Sequence, residues 1–156
     1  MIRRITKQDI VWIREKFIER WDSDFLVSLG KIHKPEELDG FILLTENDKT
    51  GLVTFQLAGK ELEITSVDSF DEHKGIGRKL IQTVIDFAKQ NNVHRIWLTT
   101  TNDNFRAMKF YQKAGLVMVQ VHRNAIEKAR QIKPSIPRIG QDGIPLRDEI
   151  EFEMKL

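Results

Sequence analysis

The sequence predicts a mixed α/β domain, and three observations carry that expectation. Apolar residues recur at steps of three and four in residues 7–21, 76–90 and 104–114, as amphipathic helices require. Short β-rich runs occupy residues 41–45, 52–57, 62–67, 94–100 and 116–122, and residues 150–156 alternate between apolar and charged. The first three of these runs follow one another as a meander, whereas the later ones alternate with helices. A chain of 156 residues can bury one core of ordinary size, so residues 1–156 are expected to form a single domain.

Residues 2–5 can start a first strand, with Thr6 capping a helix over 7–21 whose Ile10, Ile13, Phe17 and Trp21 share one face. Residues 22–40 show no clear period, although 25–29 suit an extended segment and 35–38 a short helical turn. The meander then runs through 41–45, a turn over 46–51, residues 52–57, a tight turn at 58–60, and residues 62–67. After a glycine-containing turn, Ile76, Leu80, Val84, Phe87 and Ala88 line one side of the helix over 76–90. A strand over 94–100, a helix over 104–114 capped by Asn104, and a strand over 116–122 come next. Residues 124–147 break this rhythm. Three of the four prolines, Pro134, Pro137 and Pro145, fall there with Gly140 and Gly143. After a helical start at 125–131, the remainder is expected to be an ordered loop lying over the domain, because proline removes backbone donors and fixes local angles.

Composition narrows the function. The 25 basic and 23 acidic residues are interspersed and leave a net charge of +2, so the clustered cationic face that nucleic acid demands is not expected. No apolar run approaches the roughly 18 residues needed to span a bilayer, and the first residues lack the features of a secretory signal. The cytoplasm is the expected compartment. With no cysteine there is neither a disulfide framework nor a thiolate nucleophile. The histidines His33, His73, His94 and His122 show no metal-ligand spacing, so no metal is expected either.

The chemistry concentrates at residues 72–80, EHKGIGRKL, where a strand passes into a helix. The first amides of a helix have no intrahelical partner, and Gly75 and Gly77 would let a phosphate approach them closely. Lys74, Arg78 and Lys79 add positive charge. The turn is not a P-loop, since no G-x-x-x-x-G-K-[ST] run is present, and it lacks the three-glycine dinucleotide fingerprint. Taken alone, a glycine turn flanked by lysine more often merely reverses the chain.

Residues 72–77 resemble the phosphate loop Q/R-x-x-G-x-G/A of the GNAT superfamily of acyl-CoA-dependent N-acyltransferases, with Glu72 in place of the usual glutamine or arginine. A second run, Asn104 to Leu116, is similar to that family's N-x-x-A-x-x-x-Y-x-x-x-G-F element. The resemblance covers residues 41–122 and, by order of elements, nearly the whole chain. It implies a central mixed, mostly antiparallel sheet flanked by helices, with strands splayed where acetyl-CoA binds as co-substrate. Carried over by position, Val67, Asp68, Lys74, Gly75, Ile76, Gly77, Arg78, Lys79, Asn104 and Lys113 would meet the cofactor. Tyr111 would be the general acid for the departing thiolate, and Glu63 a general base; Asp68 is a second carboxylate nearer the loop, and water alone is a third choice.

The reaction implied is direct transfer of an acetyl group to a primary amine in a ternary complex. The acceptor is open between a small molecule and a protein amine, and a homodimer is an open option because dimers are common in the family. A non-catalytic acyl-CoA sensor with the same fold is the competing reading. Tyr111→Phe and Glu63→Gln would slow an enzyme without loss of CoA binding, and would leave a sensor no activity to lose.

Overall fold

The computed structural model describes residues 1–71 and 75–156. Its centre is a seven-stranded sheet in the order β1-β4-β5-β6-β7-β9-β8. These strands are β1 (Ile2–Arg4), β4 (Asp39–Thr45), β5 (Asp48–Ala58), β6 (Glu61–Ser69), β7 (Arg95–Thr101), β8 (Val117–His122) and β9 (Glu149–Lys155). Every neighbouring pair is antiparallel except β6 and β7, which run parallel and are joined through α2 (Ile76–Gln90). A parallel pair needs such a crossover, and the helical period after the glycine turn supplies it.

The sheet separates two apolar layers. On one side α2 and α3 (Phe105–Lys113) cover Val53, Phe55, Leu62 and Phe152, with Leu80 and Val84 pointing in from α2. On the other, α1 (Ile10–Trp21) sets Ile13 and Phe17 against Ile42 and Leu52. Gly51 allows the first layer to close: a side-chain carbon there would lie 2.5 Å from Ile76 Cγ2. Its bare backbone therefore seats the first turn of α2 on the sheet.

Several boundaries differ from the sequence expectation for local reasons. The helix over 7–21 opens as a 3-10 turn at Lys7–Asp9 before α1, because Asp9 Oδ2 accepts the Thr6 amide at 2.8 Å and tightens the entry. The turn expected over 46–51 shrinks to Glu46 and Asn47, which both take positive φ as a two-residue hairpin loop of this hand demands, so residues from Asp48 join β5. The unreadable stretch contains a second small sheet, β2 (Leu26–Ser28) paired with β3 (Lys31–His33) across Leu29 and Gly30, again both at positive φ. The proline-rich segment follows α4 (Ala125–Ile132), and Arg130 holds it by donating to the carbonyls of Ile136, Pro137 and Leu146. Among the described residues, no helix is long and apolar enough to cross a membrane.

Candidate active site

The site begins where two strands stop pairing. Partners Phe55↔Ile64 and Thr54↔Ser66 leave Thr65 without a register position on β5, a bulge that bends β6. β6 and β7 pair only at Glu61↔Arg95, Leu62↔Ile96 and Glu63↔Trp97. Beyond that point β6 stays on β5 and β7 on β9, and the two facing edges separate with their ladder positions open. Unpaired backbone amides and carbonyls are strong hydrogen-bonding groups, so the parted edges form a ready template for an extended polar chain. The cleft between them has a volume of about 580 Å³.

At one end of the cleft stands the first turn of α2. Gly75 adopts φ +94°, a left-handed conformation that suits glycine, and its carbonyl accepts the Lys79 amide at 3.0 Å. Gly77 presses against α3, where a side-chain carbon would come within 3.0 Å of Phe110 Cζ. Gly75, Ile76 and Gly77 all border the cleft, and the free amides and positive dipole end of this 15-residue helix favour an anion. Glu72, His73 and Lys74 lie outside the described residues. Arg78 and Lys79 are exposed and do not line the cleft, whereas Arg106 does.

The next wall comes from α3. Asn104 caps the helix by accepting the Ala107 amide at 3.1 Å and also faces the cleft. Seven residues on, two helical turns place Tyr111 on the same wall. Its ring packs edge-on against Phe110 at 5.4 Å and Phe152 at 5.9 Å. Burial, with the Asp68 charge adding to it, pushes the phenol up to about 12. Asp68 is itself buried in the cleft wall, and that burial pushes its carboxyl up to about 6 against the opposing pull of Arg20.

Of the carboxylates selected from sequence, Asp68 therefore borders the cleft together with Val67, and Glu63 does not. Glu63 lies at the last position of β6 paired with β7, buried, with Oε1 3.0 Å from His33 Nε2 but without hydrogen-bonding angles, and it borders a separate cavity of about 220 Å³. Lys113 is exposed at the end of α3, away from the cleft lining. Sequence reasoning missed Arg20, Trp21 and Arg106. The first two end an ordinary amphipathic helix, with no motif to single them out; Arg106 could have been found, since it stands inside the Asn104 run.

A second cavity, about 460 Å³, opens beneath β2, α4 and the loop that follows α4. It shares Arg20, Trp21, Thr65, Thr99, Thr100 and Asn104 with the cleft, so the two spaces meet at the point where β6 and β7 part. Among the described residues no group of three or more metal-ligating side chains is placed to hold a metal ion.

Comparison with known proteins agrees with this geometry. The acetyltransferase (GNAT) family model matches residues 4–116. Uncharacterized protein YdhI of Bacillus subtilis strain 168 is 44% identical over 137 residues, covering 87% of this chain and 86% of the relative. Uncharacterized protein YxbD of the same strain is 38% identical over 135 residues, covering 86% and 85%. The IAA acetyltransferase from Bacillus cereus ATCC 14579 has a TM-score of 0.72 at 18% identity, over 100% of this chain and 99% of its own. A GNAT family acetyltransferase from Elizabethkingia anophelis with acetyl-CoA bound has a TM-score of 0.70 at 19% identity, over 100% and 97%. At such identities these solved structures establish the likeness of fold.

Proposed function

The chain belongs to the GNAT acetyltransferase family, and on that premise we propose that it moves an acetyl group from acetyl-CoA to a primary amine within one ternary complex. The observation that carries the reading is the separation of β6 from β7 after Glu63↔Trp97, beside the N-terminus of α2. The residues fit an acyl-CoA: an anion suits the amides around Gly75 to Gly77 and the guanidinium of Arg106, and an extended amide-bearing arm suits the open edges of β6 and β7. When bound, acetyl-CoA supplies an acetyl group on a thioester, activated toward attack by nitrogen.

The chain's own groups then divide the work. Val67 and its neighbours on β6 offer backbone hydrogen bonds along the cleft, and Asn104 holds the start of α3 at its wall. Tyr111 donates the proton that the departing sulfur needs. With its phenol raised to about 12, it keeps that proton throughout the neutral range and is ready to give it. Asp68, ionised above about pH 6, contributes to holding the Tyr111 proton in place. Attack by the amine is direct, and the chain has no cysteine that could carry the acetyl group as a thioester.

The test is thiol release from acetyl-CoA with a panel of primary amines, beside calorimetric binding of CoA. Amine-dependent release is expected. CoA binding without release across the panel would leave the sensor reading in its place.

A further inference from the structure

The second cavity is apolar over much of its wall, where Leu26, Val27, Ile126, Ala129, Ile136 and Leu146 face it. One carboxylate in that wall, Glu149, stands apart. It is 4% exposed; its Oε1 accepts the Thr99 hydroxyl at 2.9 Å and its Oε2 the Leu29 amide at 3.1 Å. An ionised carboxylate can accept about four hydrogen bonds, so both oxygens keep capacity. The other carboxylates of β9 pair with Arg95, and Glu151 also lies 2.8 Å from His122 Nε2. Glu149 makes no ion pair with a lysine or arginine among the described residues, although His122, its register partner across β8 and β9, lies near enough to draw its carboxyl downward. Burial, with a smaller push from Glu63, holds its carboxyl above the usual range against the hydrogen bonds of Thr99 and Leu29 and the pull of His122.

The remaining charged groups around this cavity are engaged elsewhere. Lys133 Nζ donates to the Trp21 carbonyl at 2.5 Å, and Arg20 Nη2 to the Ser69 carbonyl at 2.7 Å. Asp103 is taken up by the Thr101 hydroxyl and the Gln141 amide. Asp22 is exposed near Lys133. Thr99 lines both spaces, so Glu149 sits one hydrogen bond behind the junction with the cleft.

We propose that Glu149 docks the ammonium of the acceptor and takes its first proton, and that the acceptor is a small primary amine with an apolar body, not a protein chain. This rests on the acetyltransferase reading above. An ammonium group has no lone pair for attack, and with a pKa of about 10.4 it seldom loses its proton unaided at neutral pH. Two protons leave nitrogen in all. The first passes to Glu149 and then to solvent; nitrogen bonds to the acetyl carbon as the carbon–sulfur bond breaks; Tyr111 protonates the sulfur and is refilled by the second. The volume of about 460 Å³ and the roof of β2, α4 and loop suit a small molecule within the roughly 300–1,000 Å³ usual for such pockets.

The experiment compares the full chain with Glu149→Gln, which keeps the side-chain shape and an acceptor for Leu29. Binding of phenethylamine, hexylamine and a lysine-containing peptide is measured calorimetrically with CoA saturating, and thiol release is measured with acetyl-CoA. Phenethylamine and hexylamine should bind and react in preference to the peptide. Glu149→Gln should weaken their binding about 10- to 100-fold, as loss of a charge-assisted contact does, and leave CoA affinity within about twofold. Val27→Trp, at a partly buried roof position, should block phenethylamine while sparing CoA, which guards against a misfolded Glu149 variant. Preference for the peptide, or amine binding within about threefold of wild type in Glu149→Gln, would overturn the assignment. Glu149-dependent amine binding without thiol release would support the docking site and overturn the transfer reading; release untouched by Glu149→Gln would do the reverse.

Discussion

Replacing Tyr111 with Phe removes one oxygen and almost nothing else. The ring contacts at 5.4 Å to Phe110 and 5.9 Å to Phe152 survive, so the variant should lose no more than about 1 kcal/mol of stability, or roughly 2–4 °C in Tm for a domain of this size. The chemical cost is larger. A positioned general acid contributes about 10²–10⁴-fold, or about 2.7–5.4 kcal/mol in the barrier at 1.36 kcal/mol per decade. Because the phenol is raised to about 12, it remains protonated across an assay window of about pH 6–10, and the defect should be nearly constant over that range. Initial rates of thiol release at saturating acetyl-CoA and amine give kcat, and calorimetry gives the Kd for CoA. The expected result is a kcat at least about 100-fold lower with Kd unchanged within about twofold. A kcat within about threefold of wild type would refute the acid role, whatever the packing around the ring.

Other perturbations separate the remaining roles. Asp68→Asn removes a charge that raises the Tyr111 phenol, so the alkaline limb of kcat should move to lower pH while kcat at pH 7 changes by less than about tenfold; a loss beyond about 100-fold would make Asp68 a proton acceptor instead. Asn104→Ala loses the 3.1 Å cap of α3 and should cost about 0.5–2 kcal/mol in denaturant melts, together with weaker CoA binding. Asp9 is buried beneath Arg3 and Lys49, whose hydrogen bonds hold its carboxyl well below the usual range. Asp9→Asn should therefore destabilise by about 1–3 kcal/mol, a figure kept low because both cations are partly solvated. Since the folded value is depressed, this stabilisation is present above the unfolded value of about 3.9 and fades as pH falls through the folded one. The difference between wild-type and variant melts should thus be flat from about pH 7 to 5 and shrink below about pH 4.

Much of the fold was legible because its signals are local. The stripe from Ile76 to Ala88, the alternation of residues 150–156 and the asparagine cap at Asn104 each state their element without reference to the rest of the chain. Of the β2–β3 hairpin only the first strand was legible, as an extended segment over 25–29: the strands have three residues each, too few for a period, and Leu29 carries no turn signal although it adopts φ 48°. At the site, Tyr111, Asn104, Val67 and the Gly75 turn could be selected through the resemblance of two strand–helix units, β6–α2 and β7–α3, to the GNAT motifs. Glu149 stood in sequence only within the acidic run 148–151, which could attract a cationic substrate but is more simply a strand's solvated face, and nothing local separates it from Glu151 and Glu153.

The sequence by itself determined the α/β class, the meander and the glycine turn ahead of α2, because those follow from periods and caps within about 15 residues, and its resemblance to the GNAT motifs singled out the residues carried on α3. Tertiary structure alone decided which acids border the cleft and the second cavity. Whether a carboxylate meets cofactor, counter-ion or acceptor depends on where β6 and β7 part and on which distant loops cover it. The bulge at Thr65 leaves Asp68 in the cleft and Glu63 beside His33, and Glu149, far along the chain, reaches the junction through Thr99. Desolvation and pairing act through space, and no local pattern encodes them.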